Sequence, residues 1–304
     1  MRFAVVGAGG LGGYLGALLA RAGEDVHLVA RGAHREAIVA DGLRIREPAG
    51  EWVVRVPCAV SAADVGRPDV VLITVKTYDL DAVAPSVRAL VEQGALAVPL
   101  LNGVDAVERL VAAGVRADRV LAGLAYVTAF KTGPGVLERQ GEHRRMVLSP
   151  PAGAPAGFVT PLARALARAG VDVEVSADLR AELWRKMGVV CALATLCAPA
   201  RSALGPVRAH PHGRALQERA VAEVARVARA LGVPVPDDEE AQVHAVLDAF
   251  PDTFYPSLLH DLRTGRRTEV HALNATVARL ARQAGIEAPL AQLTALAVEP
   301  QPPR

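Results

Sequence analysis

The segment RFAVVGAGGLG, residues 2–12, joins an apolar run to a glycine-rich turn. The valine-rich residues 2–6 predict a β-strand, and the pattern LGGYLGALLARA at 11–22 predicts a helix that ends before Gly23. A G-x-G-x-x-G spacing between a strand and a helix is the arrangement in which backbone amides and the helix dipole bind a pyrophosphate. The segment therefore predicts a dinucleotide-binding unit at the start of an α/β domain.

The glycines of this loop have separate predicted tasks. Gly7 permits a tight turn, Gly9 lets the pyrophosphate approach the backbone, and Gly12 lets the helix pack closely on the strand. The predicted cofactor-binding residues of the loop are Gly7, Ala8, Gly9, Gly10, Leu11 and Gly12. A glycine-rich turn that binds no ligand is the alternative.

Arg31 bears on which dinucleotide binds. An acidic residue usually ends the second strand of an NAD site, where it binds the ribose hydroxyls. The predicted second strand, residues 25–30, has no acid at its end and is followed by Arg31, whose guanidinium suits a 2′-phosphate. NADP(H) is therefore the predicted cofactor, although Arg31 could also be an ordinary loop arginine.

The rest of the first half alternates strand-like and helical stretches. Residues 69–75 and 95–101 are continuous apolar runs, as expected of parallel strands buried on both faces. Shorter strand-like pieces at 43–60 suggest a hairpin, and 118–149 predicts further strands broken by the Gly133-Pro134-Gly135 turn. This alternation predicts a Rossmann-type, doubly wound α/β sheet.

The second half has helical periodicity after a last predicted strand at 171–175. The predicted helices span 180–198, 211–232, 237–249 and 268–285. We therefore predict two domains, an NADP-binding Rossmann-type domain at 1–177 and an all-helical substrate and catalytic domain at 178–304.

Composition excludes several classes of protein. The 304 residues are 51% hydrophobic and carry a net charge of only +2, which excludes general disorder and nucleic-acid binding by bulk charge. Three scattered cysteines (Cys58, Cys191 and Cys197) exclude a disulfide framework, and no metal site is predicted. With neither a membrane-length apolar run nor a signal-peptide pattern, we expect a cytoplasmic protein without membrane or nucleic-acid partners. The sequence leaves open whether the protein forms a homodimer.

Lysine and asparagine are rare, which gives weight to the few that occur. Only three of the 34 basic residues are lysines, at 76, 131 and 186, and asparagine occurs only at 102 and 274. Lys76 and Asn102 follow predicted strands, where ligands of open α/β sheets bind. A helix-start lysine and a turn asparagine are the alternatives.

Lys186 lies in a predicted helix, directly before an apolar stretch. A desolvated lysine has a lowered pKa and can donate a proton near neutrality, which arginine cannot do. A lysine that snorkels from a core helix is the alternative. On pattern alone, Ser257 and Glu269 are helix caps or surface residues more often than site residues, and His210-Pro211-His212 is most simply a loop.

These segments together resemble the ketopantoate reductase family, the NADPH-dependent 2-dehydropantoate 2-reductases, over nearly the whole chain. The resemblance rests on GAGGLG at 7–12, the lysine after VLITV, Leu101-Asn102-Gly103, ELWRK at 182–186, and PSLLHDL with RRTE within 256–269. It implies that NADPH reduces a 2-keto acid, with ketopantoate the expected substrate and pantoate the product.

The resemblance also implies roles for single residues. Lys186 matches the general acid, Glu269 the acidic residue of the active site, and Ser257 a serine that contacts substrate. Asn102 and Lys76 match residues that line the cofactor and substrate cleft, and Arg31 matches the contact to the 2′-phosphate. Asn102, Lys186 and Ser257 are thus the expected substrate-binding residues.

Two positions that follow Lys186 depart from the family pattern. Val190 and Ala194 stand where members that make pantoate usually carry asparagines, four and eight residues after the lysine. Loss of two amides is expected to weaken binding of a polar keto acid by about 1–3 kcal/mol each. A less polar 2-keto acid or another carbonyl substrate is one alternative, and a non-catalytic NADP(H)-binding redox sensor is another.

Overall fold

The computed structural model describes residues 1–155 and 157–299, except for the side chain of Glu142. The chain forms two compact units. The first contains Met1–Leu101 and Asp105–Leu179, and the second contains Asn102–Val104 together with the chain from Arg180 onwards. The fold class is the predicted one, a Rossmann-type parallel sheet followed by a helical domain.

A five-stranded parallel sheet forms the centre of the first unit, in the order β5-β2-β1-β6-β7. Its strands are β1 (Arg2–Val6), β2 (Asp25–Val29), β5 (Cys58–Ala59), β6 (Val70–Ile73) and β7 (Leu96–Pro99). Helices α1 (Gly10–Arg21), α2 (Gly32–Asp41), α3 (Leu80–Glu92) and α4 (Ala106–Ala112) accompany it. The strands β6 and β7 are shorter than the apolar runs that predicted them.

The alternation of side chains along β1 explains how the sheet is buried on both faces. Phe3 and Val5 pack in an apolar cluster with residues of α1, such as Leu15, whereas Ala4 and Val6 pack in a second cluster with residues of α3. Because successive side chains of a strand point to opposite faces, one apolar strand supplies both clusters.

A second, mixed sheet completes the first unit, and the sequence did not indicate that it is separate from the first. It contains β3 (Leu43–Glu47), β4 (Gly50–Val54), β8 (Ala122–Gly133), β9 (Val136–Ser149) and β10 (Asp172–Val175). The long strand β9 pairs with β8 on one side and with β3 and β10 on the other. Helix α5 (Thr160–Arg168) precedes β10.

The second unit is helical in its described part. Its helices are α6 (Arg180–Ala200), α7 (Leu204–Ala209), α8 (Gly213–Ala230), α9 (Glu239–Asp248), α10 (Ser257–Arg263), α11 (Asn274–Gln283) and α12 (Pro289–Val298). The prediction of one helix over 268–285 was wrong at its start, because Glu269 lies in a loop closed by a hydrogen bond from the Ala272 amide to the Glu269 carbonyl, 2.9 Å long. Helix α11 begins only at Asn274.

Helix α6 is the core helix of the second unit. By length and hydropathy it could cross a membrane, but 61% of its most apolar window is buried inside the protein. Trp184, Met187 and Cys191 pack in one apolar cluster, while Val189 and Leu193 pack in another. Burial of both faces is typical of a core helix and explains its apolar sequence.

Candidate active site

The glycine loop leaves the end of β1 and turns into α1. The amides of Gly7 and Ala8 donate to the Val29 carbonyl at 3.3 and 3.1 Å, which ties the loop to the neighbouring strand β2. The Thr74 hydroxyl, just after β6, donates to the Gly7 carbonyl at 2.8 Å. Gly7 has a φ of +105°, a conformation that favours glycine. The loop is thus held by the three central strands.

The glycines differ in what surrounds them. A Cβ at Gly12 would lie 2.0 Å from the Thr74 Oγ1, and one at Gly10 would lie 2.0 Å from the Ala129 carbonyl oxygen on β8. A Cβ at Gly9 would meet nothing within 4 Å among the described atoms. Gly10 and Gly12 are therefore required by packing inside the protein, whereas the space beside Gly9 is open.

The open space adjoins the start of a helix. Gly9 is the N-cap of α1, and no side chain in the described part of the chain caps this helix. Its first turn contains no acidic residue. The amide donors and the positive end of the helix dipole therefore offer a place for an anionic group beside Gly9.

Arg31 and Lys76 both follow strands of the parallel sheet. Arg31 is exposed at the N-cap of α2, two residues after β2 ends. Lys76 is half-buried, three residues after β6, and begins a short 3₁₀ turn. Both lie on the carboxyl side of the sheet, the edge at which ligands of open α/β sheets bind.

A second group of polar residues assembles in the helical unit. The Asn102 side-chain amide donates to the Glu269 carboxylate at 3.1 Å, although 167 residues separate them in the chain. Glu269 is only 6% exposed. Its negative charge acts on the Lys186 ammonium of α6. Three residues predicted to serve one site are thus brought together by the fold.

Two opposing effects set the acidity of Lys186. Burial lowers its pKa and the negative charge of Glu269 raises it, with the result that the pKa falls from the usual 10.5 to about 8. Burial is the larger of the two effects. It lowers the pKa because an ammonium that loses its hydration favours the neutral form. At neutral pH most Lys186 side chains keep a proton that is much easier to release than that of an ordinary lysine.

Family models match both units of the chain. The model described as ketopantoate reductase PanE/ApbA matches residues 3–153, and the model of its C-terminal part matches residues 178–299. The chain belongs to the ketopantoate reductase family. It is an oxidoreductase that acts on the CH–OH group of donors.

Individual relatives agree with the family match. The chain is 34% identical to a 2-dehydropantoate 2-reductase of Halobacterium salinarum, with 95% of both chains covered. It is 32% identical to the enzyme of that name from Mesorhizobium japonicum, with 98% of both covered. Its structure is similar to that of a PanE/ApbA family ketopantoate reductase from Ralstonia eutropha, with a TM-score of 0.89, 32% identity, and coverage of 98% of this chain and 97% of the other.

NADP(H) is the cofactor of ketopantoate reductases, and the glycine loop fits it. The open space beside Gly9 and the uncapped start of α1 suit a pyrophosphate. Contacts among Gly7, Gly12 and Thr74 keep the loop close to the sheet. Thr74 could not be singled out from the sequence, since a threonine within a predicted strand is an ordinary strand residue.

Asn274 also went unassigned in the sequence analysis. It is 1% exposed and begins α11, five residues after Glu269. Its side-chain amide donates to the Thr195 Oγ1 at 3.0 Å and to the Cys191 carbonyl at 3.4 Å, both on α6. These bonds fasten the Glu269 loop to the helix of Lys186. Asparagine's rarity in this chain was a signal that the sequence offered.

Ser257 and the two departures from the family pattern differ in accessibility. Ser257 is exposed at the first residue of α10. Val190, one turn after Lys186 on α6, is partly buried, whereas Ala194 is only 1% exposed and packs in the apolar cluster that contains Trp184. Of the two apolar replacements in this chain, Val190 is the more accessible.

Proposed function

We propose that this protein catalyses the NADPH-dependent reduction of a 2-keto acid to a 2-hydroxy acid, with Lys186 as the general acid. The favoured reaction is reduction of 2-dehydropantoate to pantoate, a step of pantothenate and coenzyme A biosynthesis. The observation that carries the proposal is the pKa of about 8 at Lys186, beside the charge of Glu269.

The chemistry is divided between cofactor and protein. When bound, NADPH supplies the hydride for the carbonyl carbon. Lys186 Nζ donates the proton that the carbonyl oxygen needs as negative charge develops there. Glu269 favours the protonated lysine, and Asn102, hydrogen-bonded to Glu269, holds that carboxylate in place. Ser257 is proposed to contact the substrate.

The proposed cofactor-binding residues belong to the first unit, except for Asn102. The backbone of the loop Gly7–Gly12 is proposed to bind the pyrophosphate, and Arg31 the 2′-phosphate. Lys76 and Asn102 are proposed to line the cofactor site. Support comes from the open space beside Gly9, the exposed Arg31 guanidinium and the position of Lys76 after β6.

The deciding experiment measures NADPH oxidation by its absorbance in the presence of ketopantoate. Saturable turnover that disappears in Lys186→Ala supports the proposed reaction and its general acid. Tight NADPH binding without turnover of ketopantoate counts against ketopantoate as substrate.

A less polar 2-keto acid is the second candidate substrate. Val190 favours it, since this apolar side chain lies one helical turn from Lys186. A panel of 2-keto acids with aliphatic or aromatic side chains, compared by kcat/KM with ketopantoate, separates the two. Val190→Asn is expected to shift the preference towards ketopantoate if Val190 lines the substrate pocket.

Arg31→Ser is expected to raise the Kd for NADPH by about tenfold or more and to leave the Kd for NADH within about twofold. The reason is that a charge-assisted hydrogen bond to the 2′-phosphate, worth about 1.5–3 kcal/mol, exists only with NADPH. Fluorescence titration with both cofactors checks this. Arg35→Ser is the matched control, because Arg35 donates instead to the Cys58 carbonyl. Equal weakening of NADPH and NADH binding would contradict the assignment of Arg31 to the 2′-phosphate.

Glu269→Gln is expected to move the basic limb of the pH–rate profile for keto-acid reduction below pH 8. The carboxylate charge raises the pKa of Lys186, so its removal lowers that pKa, and the lysine loses its proton at a lower pH. The hydrogen bond from Asn102 survives, because the glutamine amide retains an oxygen acceptor. The profile of kcat/KM against pH is the measurement, and an unmoved limb would exclude this role of Glu269.

The setting proposed for this activity is the cytoplasm, without membrane or nucleic-acid partners.

The division into domains at 1–177 and 178–304 remains part of the proposal. Size-exclusion chromatography with light scattering distinguishes a monomer from a homodimer.

A further inference from the structure

A histidine of α2 contacts the glycine loop. His34 lies in the first turn of α2 and is 8% exposed. Its Nε2 is 2.7 Å from the carbonyl oxygen of Ala8, the second residue of the loop. Together with the bond from Thr74 to the Gly7 carbonyl, two successive loop carbonyls are each held by a side chain.

The other ring nitrogen of His34 fixes the position of its proton. The Gly135 amide donates to Nδ1 at 3.0 Å. A backbone N–H can only donate, so Nδ1 accepts and carries no proton. The single proton of the neutral ring therefore lies on Nε2, which donates to the Ala8 carbonyl.

The ring thereby links the cofactor loop to the second sheet. Gly135 lies in the turn between β8 and β9 and has a φ of +66°. Its carbonyl accepts from the Arg44 amide of β3 at 2.9 Å. The Ala8 carbonyl is thus connected through His34 and Gly135 to a strand of the second sheet.

We propose that His34 is a positioning residue for dinucleotide binding: its neutral ring ties the Ala8 carbonyl to the Gly135 turn, and protonation of the ring breaks this tie at Gly135, so that the second sheet no longer holds the loop. A proton on Nδ1 would point at the Gly135 amide, so that two donors would face each other and this link would break. His34 itself does not touch the cofactor in this proposal. It acts through the conformation of Ala8.

The surroundings of the ring favour its neutral form. Burial lowers the pKa of His34, and the positive charge of Lys131 on β8 lowers it further, while the hydrogen bond to Ala8 acts in the opposite direction. The hydrogen bonds that join the ring to the loop and to the turn both involve backbone groups there, the Ala8 carbonyl and the Gly135 amide. On its own helix, Arg35 is turned to the Cys58 carbonyl. The ring is therefore neutral at neutral pH, and acid is required to break the link.

This inference rests on the proposed binding of NADP(H), and the two can fail separately. Absence of NADPH binding by the wild-type protein at neutral pH would contradict the proposed function. Normal binding with no dependence on His34 would overturn only the inference. Binding is measured directly by fluorescence titration, without turnover.

The first test uses three variants and both NADPH and NADH, because the 2′-phosphate of NADPH itself titrates in mild acid. His34→Phe keeps a ring of similar size but removes both hydrogen bonds, and it is expected to raise the Kd for both cofactors about tenfold near neutral pH. His34→Gln retains a donor and an acceptor without titrating, and is expected to restore part of the affinity. His244→Phe is the matched control, because this half-buried histidine lies on α9 and contacts Gln217.

The pH dependence separates positioning from general stability. Wild-type affinity for NADH is expected to fall as the solution is acidified through the pKa of His34. The affinity of His34→Gln is expected not to show this fall. A merely structural histidine would lower the unfolding temperature of the variants without changing the pH profile of Kd. Equal pH profiles for wild type and His34→Gln would overturn the proposal.

A spectroscopic test on the wild-type protein does not depend on whether a variant folds. Nitrogen-15 NMR of the histidine rings is expected to show His34 as the Nε2–H tautomer. Binding of NADH is expected to lower the pKa of His34, because linkage requires that a proton which weakens the cofactor is itself bound more weakly in the complex. The signal is assigned by its loss in His34→Gln. An Nδ1–H tautomer or an unchanged pKa would overturn the proposal.

Discussion

Replacement of Lys186 by arginine is expected to lower kcat for keto-acid reduction by about 10²–10⁴-fold, while the Kd for NADPH stays within about twofold. The positive charge is retained, but a guanidinium does not release its proton at accessible pH. The lysine differs because burial brings its pKa down to about 8. The loss therefore measures proton donation and not charge.

The pH profile of the reaction tests the role of Lys186 independently of the substitution. The folded pKa of Lys186 lies below its usual 10.5, so the lysine is mostly protonated below about pH 8 and mostly neutral above it. Reduction needs the protonated form, and kcat/KM is expected to fall as the pH rises through about 8. Oxidation of the hydroxy acid needs the neutral amine and is expected to rise over the same range.

A matched substitution controls for the chemistry of lysine-to-arginine replacement. Lys131→Arg, on an exposed position of β8, keeps the charge and is expected to leave kcat unchanged. If Lys186→Arg retained more than about a tenth of wild-type kcat, a group other than Lys186 would have to donate the proton.

Gly9→Ala is expected to raise the Kd for NADPH by at least about tenfold and to cost little stability, about 1 kcal/mol or less. A Cβ at this position meets nothing within 4 Å in the protein, and the φ of −74° suits alanine. The added methyl group occupies the space proposed for the pyrophosphate. Titration with NADPH and thermal unfolding together provide the measurement.

Gly10→Ala is the companion substitution, and its expected effect is a large loss of stability. Its Cβ would lie 2.0 Å from the backbone oxygen of Ala129, so β8 or α1 has to shift, at a cost of about 1–3 kcal/mol or more. Its unfolding temperature is expected to fall well below that of Gly9→Ala. Unchanged NADPH binding in a stable Gly9→Ala protein would contradict the assignment of the loop as the pyrophosphate site.

Local signals in the sequence were sufficient for the start of the fold. Strand β1 spans the predicted residues 2–6, and α1 begins one residue before its predicted start. Strand, turn and helix are set here by neighbouring residues, namely an apolar run, a left-handed Gly7 and a helical periodicity. The same holds for the break between β8 and β9 at Gly133-Pro134-Gly135.

Long-range contacts decided what the sequence left open. The apolar runs did not reveal that β3, β4, β8, β9 and β10 form a sheet of their own, since strand partners are not encoded in a local pattern. The loop position of Glu269 was also missed, because apolar periodicity continues through the residues before Asn274.

By itself, the sequence determined the glycine-rich strand–turn–helix unit, the α/β fold class and the family, since each is carried by short motifs in a fixed order. Only the tertiary structure decided how the chemical groups are tuned. The low pKa of Lys186 arises from burial and from Glu269, and Asn102 reaches that carboxylate across 167 residues. The tautomer of His34 likewise depends on Gly135, 101 residues away. Acidity and proton position depend on the surroundings of a group, and folding alone creates those surroundings.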